Sequence, residues 1–70
     1  MNILAQRMRE LREERHIRQE DAAAALGLSM SSYCRYEYGK REPVAHVIAG
    51  LAQYYGVSAD YLLGLKDDRT

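Results

Sequence analysis

The chain has one cysteine, one proline and no excess of either charge. Each scarcity removes a class of protein. Cys34 has no second cysteine to pair with, so no internal disulfide staples the fold, and the composition suits a reducing compartment. One proline and five glycines, set against 47% hydrophobic residues, exclude a disordered composition and suit a compact helical domain. No apolar run approaches the ~18 residues of a membrane span. Arg7 and Arg9 interrupt the apolar stretch that a secretory leader requires. The expected location is therefore the cytoplasm, with no membrane partner.

At 70 residues the chain has room for one domain, which at this size buries only ~60% of its unfolded surface. The net charge of +0 argues against a nucleic-acid partner, since such domains are often basic. The distribution partly answers this. Residues 1–18 carry five arginines against three glutamates, and residues 29–41 carry Arg35, Lys40 and Arg41 against Glu37. The acidic excess lies early in the second helix and in residues 42–70, where Glu42, Asp60, Asp67 and Asp68 face Lys66 and Arg69. The field is polarised but modest.

Apolar spacing and stop signals predict five helices. The first runs from about Leu4 to Arg15, with Leu4, Met8 and Leu11 as its apolar stripe and Arg9–Glu13 as a favourable i,i+4 pair. The second spans about Gln19 to Leu26, where four alanines combine high helix propensity with close packing. The third spans about Met30 to Tyr38 and stops at Gly39. The fourth runs from about Val44 to Tyr55, with Val47, Ile48, Leu51 and Ala52 inward, and stops at Gly56. Ser58 caps a short fifth helix that ends near Leu63, with Asp60 in its first turn. Residues 66–70 are expected to form a frayed tail after a domain at 1–65.

The most informative segment is Gln19 to Tyr38, which reads as two short helices joined by a tight turn at Gly27-Leu28-Ser29. Ala23 sits where the helices approach closely. Gly27 sits where the chain turns sharply with a positive φ, which glycine adopts at least cost. Leu26, Leu28, Tyr33 and Tyr36 hold the helices together, and Ser29 caps the second one.

In these residues the chain resembles the lambda-repressor/Cro-type (Cro/C1-type) helix-turn-helix family of bacterial and phage transcription regulators. The resemblance extends over about sixty residues. Arg7 to Arg15 looks like the family's first helix, Ser29 to Pro43 like its recognition helix and following loop, and Leu51 to Gly64 like its last two helices. It implies an all-α, five-helix bundle of the lambda-repressor-like DNA-binding type. The third helix would enter the major groove of an operator. Two departures fall at the first join: His16 stands where the family usually has glycine, and Arg18 where it usually has threonine or serine.

The resemblance also implies roles. Ser29, Met30, Ser31 and Ser32 open the recognition helix, where base-reading side chains belong. Arg35, in mid-helix on the side away from Tyr33 and Tyr36, can hold guanine O6 and N7. Gln19, Lys40, Arg41 and the Tyr38 hydroxyl are expected along the phosphate backbone. Glu37 would pair with Arg12 and tie the recognition helix to the scaffold. Apart from the resemblance, a fifth helix of about six residues cannot bury Val57, Tyr61, Leu62, Leu63 and Leu65 all on one side, so Val57, Tyr61, Leu62 and Leu65 are expected to leave an outward apolar cluster that serves a homodimer.

Catalysis and metal binding find little support. Cys34, His16 and His46 lack the spacing of a zinc site. Ser29, His46 and Asp60 form no more than a coincidental triad composition. The expected function is a sequence-specific DNA-binding regulator without cofactor, most simply a repressor that occupies its operator as a homodimer. Two alternatives remain: an antitoxin-type autoregulator, and a protein-interaction module on this fold that has lost DNA binding.

Overall fold

Leu4, Met8 and Leu11 recur along one side of the first helix, and all three lie at the centre of the core. The computed structural model describes residues 2–70; Met1, the first residue of the expected domain, lies outside them. The described residues form five helices and no strand: α1 (Asn2–Glu14), α2 (Gln19–Ala25), α3 (Met30–Glu37), α4 (Ala45–Tyr55) and α5 (Ala59–Leu62). The boundaries differ from those expected by a residue or two. Leu26, Tyr38, Val44 and Leu63 act as caps rather than helical residues.

Helix α1 packs against α3, α4 and α5, while α2 rests on α3 and α4 on α5. The apolar stripe of α1 therefore meets Tyr33 and Tyr36 from α3, Val47, Leu51 and Tyr55 from α4, and Tyr61 and Leu62 from α5. In α2 the alanine run divides by face. Ala22 and Ala23 are buried and allow α3 to approach, whereas Ala24 and Ala25 are exposed.

The join between α1 and α2 closes by a paired turn. The Ile17 N–H donates to the Arg12 carbonyl at 3.1 Å, and the His16 N–H donates to that of Glu13 at 3.1 Å. His16 takes the left-handed position with φ 55°. Arg18 gives α2 no side-chain cap and instead pairs with Glu20 and Asp21, both at 3.0 Å.

The C-terminal end differs from expectation in two respects. Val57, Tyr61 and Leu62 do not form an outward cluster; they are 8%, 8% and 0% exposed, as part of the monomer's own core. Helix α5 is covered by α1 as well as α4, so it is enclosed from more than one side. Leu65 alone projects, at 73% exposure. Residues 66–70 are also tied down rather than frayed. The Ser58 N–H donates to the Arg69 carbonyl at 2.8 Å. The Arg69 guanidinium grips Glu14 through two bonds of 2.8 and 2.9 Å and lies over the Tyr61 ring.

Candidate nucleic-acid interface

Helix α3 is built with two unlike faces. Its start is fixed by Ser29, whose Oγ accepts the Ser32 N–H at 3.1 Å. Tyr33, Tyr36 and Glu37 then turn inward and are buried. Met30, Ser31, Arg35 and Tyr38 turn outward, with Met30 at 45% and Tyr38 at 58% exposure. Ser31, Arg35 and Tyr38 follow i, i+4, i+7 spacing and so lie along one stripe. The loop beyond carries Lys40 and Arg41, both exposed.

The inward face is held by a polar network spanning four helices. The Arg12 guanidinium grips the Glu37 carboxylate with two bonds of 2.9 Å. The Gln19 amide donates to the same carboxylate at 3.1 Å and to the Tyr38 hydroxyl at 3.4 Å. The hydroxyls of Tyr33 and Tyr55 meet at 2.7 Å. Burial alone would raise the Glu37 pKa. The guanidinium of Arg12, the Tyr33 hydroxyl and the Gln19 amide more than offset this, so the carboxyl is held below its ordinary range. Burial, followed by the bond to Tyr55, pushes the Tyr33 hydroxyl well above the ordinary tyrosine range.

The α1 arginines do not form a basic surface. Arg7 donates to the Tyr61 carbonyl at the end of α5 and to that of Lys66 at 2.8 Å. Arg9 donates to the Glu37 carbonyl at the end of α3, at 2.6 Å. Arg15 donates to the Tyr55 carbonyl at the end of α4, at 2.8 Å. Arg12 adds a bond to the Ile17 carbonyl at 2.9 Å. Helix ends carry partial negative charge and carbonyls without intrahelical partners, and cations from α1 meet them here; the Tyr61 carbonyl accepts the Gly64 N–H as well, at 3.1 Å.

These bonds leave a small set of cations for a ligand. Among the described residues, the side chains of Arg35 and Lys40 form no hydrogen bond or ion pair, and Arg41 only leans over the Tyr36 ring at 5.7 Å. Of the residues predicted from sequence, the structure exposes Met30, Ser31, Arg35 and Tyr38 on α3 and its cap, and Lys40 and Arg41 on the loop that follows. It uses Ser29 as a cap, half-buries Ser32, and turns the Gln19 amide toward Glu37 and Tyr38. The arginine–carbonyl bonds were not foreseen. The i,i+4 rule assigns Arg9 to Glu13, whereas Arg9 reaches a carbonyl 28 residues away. No group of three His, Cys, Asp or Glu side chains that could hold a metal occurs among the described residues. No helix among them is long and apolar enough to cross a membrane.

Comparison with known proteins matches residues 3–63 to a family described as a helix-turn-helix domain. The uncharacterized HTH-type transcriptional regulator YobD of Bacillus subtilis is 41% identical over 66 residues, covering 94% of this chain and 59% of that protein. The cryptic phage CTXphi transcriptional repressor RstR of Vibrio cholerae is 34% identical over 55 residues, covering 79% of this chain and 50% of the repressor. The HTH-type transcriptional regulator ImmR of Bacillus subtilis is 35% identical over 65 residues, covering 93% of this chain and 50% of that regulator. The chain thus spans between 50% and 59% of the length of these three relatives.

Proposed function

The chain belongs to the helix-turn-helix domain family, and on that premise we propose that it is a sequence-specific DNA-binding regulator that represses by occupying an operator. The observation that carries this reading is the division of α3. Its inner face is locked to three other helices, while its outer stripe holds Arg35 free and runs into Lys40 and Arg41. An anchored helix with a free arginine at mid-length suits direct reading of a major-groove guanine. Cations on the adjacent loop suit the phosphate backbone.

One recognition helix reads only a few base pairs. Two copies on half-sites about 34 Å apart would supply the rest, so a homodimer on DNA is part of the proposal. Its interface is not the Val57, Tyr61 and Leu62 cluster, which the monomer buries. The site of action is the cytoplasm, and the role is binding rather than catalysis.

A second reading has an observation in its favour. The net charge is +0, and most of the arginines are engaged within the scaffold. That suits a protein-interaction module that has lost DNA binding. Selection from random duplexes, followed by gel shift at low and moderate salt, separates the two. The DNA reading expects a recovered consensus. Arg35→Ala should then lose about 1–3 kcal/mol, confined to one base position of that consensus, with the fold intact. An unaltered base preference in the variant removes Arg35 from the reading surface. No binding by wild type at low salt favours the interaction module.

A further inference from the structure

We propose that Arg9 is a positioning residue for the nucleic-acid interface: by binding the Glu37 carbonyl it fixes the loop that aims Lys40 and Arg41. The inference rests on the DNA-binding reading above.

The last four carbonyls of a helix lack intrahelical partners. At the end of α3, three are satisfied locally. The Cys34 carbonyl accepts the Tyr38 N–H at 2.9 Å, the Arg35 carbonyl accepts the Lys40 N–H at 2.9 Å, and the Tyr36 carbonyl accepts the Gly39 N–H at 3.2 Å. The last two bonds form the paired turn that commonly ends helices, with Gly39 in the left-handed position at φ 73°. The fourth carbonyl, Glu37, is met from outside by Arg9 at 2.6 Å.

The local turn sets where α3 stops, but not where the loop lies relative to α1. Two arginines one turn apart on α1 supply that reference. Arg12 holds the Glu37 carboxylate and Arg9 holds its carbonyl. Lys40 follows Glu37 by three residues, and Arg41 by four. Arg41 folds back over the buried ring of Tyr36, the residue next to the Glu37 that Arg9 holds, so the loop and the Arg9 attachment share adjacent residues of α3. Removing Arg9 leaves the Arg12–Glu37 pair and the local turn in place. The fold persists, and the aim of the two loop cations is what loosens.

The test is the salt dependence of binding to the selected duplex. Each phosphate neutralised contributes about 0.9 to the slope of log K against log salt. Lys40→Ala with Arg41→Ala should flatten the slope by about 1.8 per protomer, which defines the loop's share. Arg9→Met should lose part of that same share while keeping helical circular dichroism and the base preferred opposite Arg35. Arg9→Lys, which keeps a charged donor, should restore most of the slope. In the Lys40→Ala, Arg41→Ala background, Arg9→Met should flatten the slope no further, because residues that act through one another do not add.

Additional flattening of about 0.9 in that background would mean that Arg9 touches a phosphate itself, and the positioning role is overturned. A wild-type slope in folded Arg9→Met, or no recovery in folded Arg9→Lys, overturns it as well. Loss of fold in Arg9→Met assigns the residue to stability and has the same effect. An unchanged slope in the loop double variant defeats this inference while leaving DNA binding in place. Absence of wild-type binding removes both.

Discussion

Glu37 is the charged side chain whose burial is complete, at 0% exposure, and its partner Arg12 retains 16%. Two charges removed from water hold each other only while both are present. Glu37→Gln and Arg12→Met should each destabilise the fold, by less than the ~3–5 kcal/mol of a fully buried pair because Arg12 keeps some contact with water, and the double variant should recover part of the loss. Strictly additive denaturation energies would show that the pair is not coupled. The pair also sets a pH dependence. The folded Glu37 carboxyl is held below its unfolded value of 4.5, so its contribution is present above that value and is lost as pH falls through the lower folded one. Urea midpoints measured from neutral to strongly acidic pH should therefore fall more steeply for wild type than for Glu37→Gln. Parallel curves would place the acid sensitivity elsewhere, for instance at Glu14, which Arg69 also holds low. Resemblance alone implied that Arg12 and Glu37 would meet. The other members of the network were not readable, because a buried hydroxyl pair such as Tyr33–Tyr55 leaves no periodic trace.

Most helix positions could be read from sequence because apolar spacing and the glycines that follow α2 to α5 agree. Helix ends that depend on distant partners could not. Arg7, Arg9 and Arg15 read as the wet face of α1, yet each caps a different helix end. Solvent-facing spacing and a long reach to a neighbouring carbonyl are compatible, since an arginine stem can lie along the surface while its head is bound. The expected apolar cluster at the C-terminus failed for a related reason. Counting apolar residues on a short helix says nothing of how many sides the rest of the chain covers, and α5 is covered by both α1 and α4. One helix end retains a local defect. His16 occupies the left-handed position after α1, where a side chain costs about 1–2 kcal/mol. Glycine there regains that strain and returns about 0.5–1 kcal/mol as unfolded-chain entropy. His16→Gly should accordingly raise stability by about 0.5–1 kcal/mol, read as a higher thermal midpoint at unchanged helicity. A lower midpoint would mean that the imidazole makes a contact worth more than the strain.

Across the whole molecule, a net charge of +0 understates how few cations are available to a polyanion. The chain carries ten lysines and arginines. Arg7, Arg9, Arg12, Arg15 and Arg69 bind carbonyls or carboxylates of the scaffold. Arg18 is paired with Glu20 and Asp21, and Lys66 with Asp68. Arg35, Lys40 and Arg41 remain, all exposed, on α3 and the loop that follows it. Counterion release counts phosphates neutralised rather than total charge. If the scaffold arginines keep their partners on DNA, the slope of log K against log salt should lie between about 1.8 and 2.7 in magnitude per protomer, for two or three such contacts. If all ten cations were available, the same relation would allow about 9. A titration over a fourfold salt range distinguishes these values. A slope steeper than about 5.4 per protomer, more than Arg35, Lys40, Arg41 and the carboxylate-paired Arg18, Lys66 and Arg69 together supply, would mean that arginines leave the helix ends when DNA arrives, and α1 would then be part of the interface rather than its support. A slope within the lower range would leave affinity to base reading and to the pairing of half-sites, which is where the proposed regulator, with so few free cations, must find it.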